Sequence, residues 1–123
     1  MDARLRKGIR LFNARKFFAS HEVLEDFYLH TDEEQDKPFL EGIIELSVAF
    51  RLYSDFGEVQ GPVRMIHQAL IRLEHYQPTY LRIKVSELIR ALDEWAQKAK
   101  SATDQTTAMR DEIPRIHTRM GLF

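Results

Sequence analysis

His21 and Glu25 stand four residues apart in the run Phe17-Phe18-Ala19-Ser20-His21-Glu22-Val23-Leu24-Glu25-Asp26-Phe27-Tyr28. On a helix that spacing places them one turn apart, where an imidazole and a carboxylate meet. Such a pair can serve as a general base with its orienter, or as two ligands of a divalent metal. At about 100° per residue, Phe17, Phe18, His21, Leu24, Glu25 and Tyr28 share an arc of roughly a third of the circumference. The pattern predicts a carboxylate on an apolar helix face, which is costly unless the group is paired or coordinated. Histidine before glutamate is the less favourable order relative to the helix dipole, so local helix stability does not explain the pair.

A second pair of carboxylates, Glu41 and Glu45, lies one turn apart on the next apolar segment. Glu45 falls between Val48, Ala49 and Leu52 on the helical wheel, which predicts a buried or half-buried position. Glu41 is nearer the helix start, where the dipole favours an anion. If the two helices pack antiparallel, His21, Glu25 and Glu45 converge.

Three readings of that cluster stay open. In the first it is a structural network, with the carboxylates accepting hydrogen bonds from His21, Tyr28, Tyr53 or Arg51. In the second, His21, Glu25 and Glu45 hold one divalent metal. The helical di-iron pattern needs Glu-x-x-His, however, and the zinc-protease pattern needs His-Glu-x-x-His, where this chain has Glu25 in place of the second histidine. In the third the site is metal-free. His21, Glu22 and Glu25 are then the candidate catalytic residues, and Phe18, Tyr28 and Glu45 the candidate ligand contacts. Glu25 or Glu45 would be the base and His21 its orienter. There is no Gly-rich phosphate loop, serine elbow or dinucleotide fingerprint.

These side chains need helices to position them. The spacing of Leu5, Ile9 and Phe12 predicts a first helix over Ala3–Asn13, and the motif helix runs from Phe17 to about His30. After a polar loop ending in Pro38, a third helix from Phe39 to about Phe56 is apolar nearly all round, which predicts a central element packed on several sides. Gly57 suits its C-cap. Gly61-Pro62 opens a fourth helix with Val63, Ile66, Leu70 and Leu73 on one face, and Gln77-Pro78-Thr79 breaks it. Tyr80–Lys84 is ambiguous. A fifth amphipathic helix follows from Val85 to about Lys100.

The expected architecture is therefore an all-α, single-domain multihelical bundle of about five helices around the third. It occupies residues 1–100. Residues 101–123 form a polar linker and a C-terminal tail that either docks on the body as an extended segment or stays disordered.

Bulk properties narrow the function. The chain has 123 residues, 44% of them hydrophobic, enough for one core. A formal net charge of −1 gives no global case for binding nucleic acid or an anionic membrane. No run approaches the ~18 apolar residues of a membrane span. The absence of cysteine removes disulfides and thiolate chemistry and fits a cytoplasmic location. The expected partners are a small molecule or a second copy of the chain. The cofactor is undetermined, with a divalent metal as the candidate.

The run Leu11-Phe12-Asn13-(x3)-Phe17-Phe18-(x2)-His21-Glu22-Val23-Leu24-Glu25 resembles the hallmark of the family known as domain of unknown function 309. Phe39-Leu40-(x)-Gly42-Ile43-Ile44-Glu45-Leu46-(x)-Val48-Ala49 resembles its second block, and Gly61 with Ala69-Leu70-(x2)-Leu73 its third. The likeness covers about Ile9 to Leu92. This chain departs from the family in carrying Tyr28 where tryptophan is usual and Glu45 where glutamine is usual. It also has Arg51, Leu52 and Tyr53 where aromatic or histidine residues are common. The resemblance implies a compact all-α domain and no particular activity.

Overall fold

The computed structural model describes residues 1–101 and 107–119. The elements are α1 (Ala3–Asn13), α2 (Phe17–His30), α3 (Lys37–Phe56), α4 (Gln60–Leu73), β1 (Thr79–Tyr80), β2 (Ile83–Lys84), α5 (Val85–Ser101) and α6 (Thr107–Asp111), with single 3₁₀ turns at Glu34–Asp36 and Glu74–Tyr76. The all-α expectation holds, and five of the six helices among the described residues are those read from periodicity.

Local signals set the helix ends. Asp2 caps α1 by accepting from the Arg4 backbone N–H at 2.8 Å. Pro38 sits in the first turn of α3, where its missing N–H costs nothing. Gly57 ends that helix at φ 71°, a left-handed conformation that side chains resist.

Helix α3 is the spine of the fold. It packs against α2 on one side and α4 on the other, and Phe39, Leu40, Ile43, Leu46, Ala49 and Phe50 are fully buried along it. Each large side chain of this kind contributes roughly 1.5–3 kcal/mol by leaving water. Close approach of α1, α2 and α3 depends on small groups at one crossing. Ser20 Oγ donates to the Gly8 carbonyl at 2.8 Å and lies 3.3 Å from Ser47 Oγ, all in the dry core. An aromatic cluster seals the other end. Trp95 meets Phe50 and Tyr53 edge-on, with centroids 5.0 and 4.7 Å apart, and its indole N–H donates to the Met109 carbonyl.

The ambiguous segment forms a small antiparallel hairpin pairing Thr79 with Lys84 and Tyr80 with Ile83. Its two turn residues, Leu81 and Arg82, both have positive φ, as a tight two-residue hairpin requires.

The tail docks over its described part. Asn13 holds Ile116 at both ends of its peptide group, donating to the carbonyl at 2.9 Å and accepting from the N–H at 2.7 Å. Arg15 donates to the Ile113 carbonyl at 2.5 Å. Ile113 and Ile116 are buried in the common core, and Thr118 bridges to Ile83. Of the segment 101–123 expected as linker and tail, residues 102–106 and 120–123 lie outside the described part of the chain.

Candidate ligand-binding cleft on the second, third and fourth helices

Helices α2 and α3 run antiparallel. Tyr28, late in α2, meets Glu41, early in α3, while Phe18 and Arg51 meet at the opposite ends. The buried stripe of α2 is Phe17, Ser20, Leu24 and Phe27. This corrects the expected apolar arc. His21, Glu25 and Tyr28 lie on the edge of the stripe rather than in it, and the Glu25 side chain is 53% exposed. The reason is that the small Ser20, not His21, occupies the closest crossing with α1 and α3, which turns the histidine edge outward. Phe18, at 46% exposure, also leaves the core and stacks on the Arg51 guanidinium at 4.3 Å from the ring centre.

His21 and Glu25 do meet, with Nε2 3.2 Å from Oε2. Glu25 then joins Tyr28, Glu41, Glu45 and Arg72 around an open cleft of about 380 Å³. Leu29 and Ile44 supply its apolar surface. His21, Glu22 and Phe18 are not among the lining residues. Glu22 is exposed on α2.

Arg72 organises the floor. Its Nη1 donates to Glu45 Oε1 at 2.5 Å, and its Nε lies 3.5 Å from Glu41 Oε2. The Tyr28 hydroxyl donates to the other Glu41 oxygen at 2.7 Å. The donors are therefore Tyr28 and Arg72. Of the other donors expected for the network, Arg51 pairs instead with Asp55 at 3.6 Å. Arg72 is the residue that sequence reasoning missed. Glu41 and Glu45 stand one turn apart on a mostly apolar helix, and that pairing calls for a cation on the neighbouring helix.

Burial pushes the Glu45 carboxyl above its ordinary value; Arg72 opposes the shift and Glu41 adds to it. The hydrogen bond to Glu41 raises the Tyr28 phenol, which keeps its proton and remains a donor. Among the described residues no group of three or more His, Asp or Glu side chains is arranged to hold a metal ion. Glu45 spends its charge on Arg72, while His21 and Glu25 face each other.

Residues 5–65 match the family model described as domain of unknown function (DUF309). Over that span the chain belongs to this family. The DUF309 match takes in most of α1, all of α2 and α3, and the start of α4, and so every cleft residue except Arg72, which lies beyond it. No curated protein and no solved structure gives a significant match. Among the described residues no helix is long and apolar enough to cross a membrane.

Proposed function

We propose that this DUF309 domain is a binding module whose cleft takes a small aliphatic dication, such as a diamine or a guanidino-amine. One observation carries the reading. Glu25, Glu41 and Glu45 face a single guanidinium, Arg72, an excess of two negative charges around a cleft with apolar walls. Tyr28 and Arg72 fix two of the carboxylates in advance, so little order is lost when a ligand arrives. Glu25, whose one partner among the described residues is His21, is the carboxylate free to turn to a ligand cation. Leu29 and Ile44 match the methylene stem between two charged ends. The proposal extends to a cytoplasmic location, in keeping with the cysteine-free composition.

Calorimetric titration with 1,4-diaminobutane tests this reading. Saturable binding is expected, weakened about tenfold or more in Glu25→Gln, the scale of losing one charge-assisted hydrogen bond. Equal heats for the diamine and for sodium chloride at matched ionic strength would contradict it.

A second reading has its own support. A carboxyl raised by burial, as Glu45 is, has the property required of a proton acceptor in acid–base catalysis. In that version Glu45 is the base, Arg72 positions it, and the His21–Glu25 pair stands at the mouth. Turnover abolished by Glu45→Gln, with ligand binding retained, would favour this version over simple binding.

A further inference from the structure

A second cleft, of about 590 Å³, shares no residue with the first. It is built where the hairpin, the start of α5 and the docked tail come together. Lys84 closes β2, Ser86 and Arg90 lie on the first turns of α5, and Arg119 arrives from the C-terminal segment. Thr79, from β1, completes the rim.

Three cations share this cleft with one carboxylate, an excess of positive charge. None of Lys84, Arg90 and Arg119 has an ion-pair partner among the described residues, where ten other pairs form. The one lining carboxylate, Glu87, is engaged by His117 Nδ1 at 2.6 Å. Ser86 gives its hydroxyl proton to Gln77 Oε1 at 2.9 Å and so braces the turn. Thr79 keeps a hydroxyl with no partner among the described residues.

The convergence is imposed by backbone bonds. The Arg119 N–H donates to the Arg82 carbonyl at 2.6 Å, and the Lys84 N–H to the His117 carbonyl at 2.9 Å. The tail is thereby pinned beside β2, and Arg119 is brought to Lys84 and Arg90. Gathering like charges works against stability, and an exposed cationic cluster held in this way gains from a bound anion. Two guanidinium forks and an ammonium match a multivalent oxyanion better than a single carboxylate. The start of the 17-residue α5 adds its positive dipole end. The volume leaves room for an organic group beyond the phosphate.

We propose that this cleft binds a phosphate-bearing small molecule, a phosphate monoester or diphosphate, through Lys84, Arg90 and Arg119. The proposal does not depend on the dication reading of the first cleft.

The test is calorimetric titration of the full chain with inorganic pyrophosphate, against sodium acetate at matched ionic strength. The expected result is one saturable site for pyrophosphate and none for acetate. The double variant Arg90→Gln/Arg119→Gln is expected to bind roughly tenfold or more weakly, with a melting temperature no lower than the parent's because both side chains are exposed and their mutual repulsion is relieved. Glu25→Gln is expected to bind pyrophosphate as the parent does. An absence of saturable pyrophosphate binding, or equal affinity in the double variant, would overturn the proposal.

Discussion

Arg72 ties α4 to two successive turns of α3, donating to Glu45 at 2.5 Å and lying 3.5 Å from Glu41. Without it, two carboxylates one turn apart would face each other across a cleft rim with a single hydroxyl donor. Arg72→Met keeps the stem and removes the charge. It is expected to lower stability by about 1–2 kcal/mol in urea unfolding, because the pair is half-buried and only partly screened. An unchanged midpoint and slope would show that the guanidinium has no organising role.

Glu45 gives a pH signature of definite sign. Its folded-state carboxyl lies above the ordinary value of 4.5, so just above that pH the folded chain holds a proton that the unfolded chain releases. The associated stability is present below the ordinary value and is lost as pH rises through the folded value. In Glu45→Gln this fall is expected to vanish. Melting temperatures from pH 4 to 7 for parent and variant would check it, and parallel curves would refute the assignment.

Tyr80 and Asp36 make a comparable test at the alkaline end. The phenol donates to the buried Asp36 carboxylate. Burial, followed by that carboxylate, pushes Tyr80 from 10.0 up to about 12. Between those values the folded chain retains a proton that the unfolded chain has lost, so stability falls with rising pH in that window. Tyr80→Phe should flatten this fall. At neutral pH it should cost about 1–3 kcal/mol, because Asp36 loses its donor in a buried setting. Denaturant titrations at pH 7 and pH 11 would show both effects.

Gly8 tests the crossing that sets the orientation of α2. A Cβ there would lie 2.5 Å from Leu24 Cδ2 and 2.6 Å from Cγ. Gly8→Ala is expected to destabilise by about 1–3 kcal/mol despite the better helix propensity of alanine. A stabilised variant in thermal melts would show that α1 and α2 have room to part.

The helices were legible because their apolar spacing and end signals agree, as at Pro38 and Gly57 of α3. The hairpin was not, since Leu81 and Arg82 adopt left-handed positions for which glycine or asparagine is the usual signal. Of the first cleft, Glu25, Tyr28, Glu41 and Glu45 could be singled out from helical spacing, and so could the half-burial of Glu45, but the exposure of Glu25 could not. Wheel geometry does not tell whether Ser20 or His21 takes the crossing, and that choice moved Glu25 from the core to the rim. Arg72 was hidden because its partners are 27 and 31 residues away in the chain. The second cleft depends on Arg119, which only tail docking brings to Lys84 and Arg90.

The most direct measurement is a ¹H–¹⁵N correlation titration of the uniformly labelled chain with 1,4-diaminobutane. Saturable shifts confined to the amides around Glu25, Tyr28, Ile44, Glu45 and Arg72 are expected, and their loss in Glu25→Gln. Small, unsaturating shifts scattered over the surface, unchanged in the variant, would contradict the dication reading.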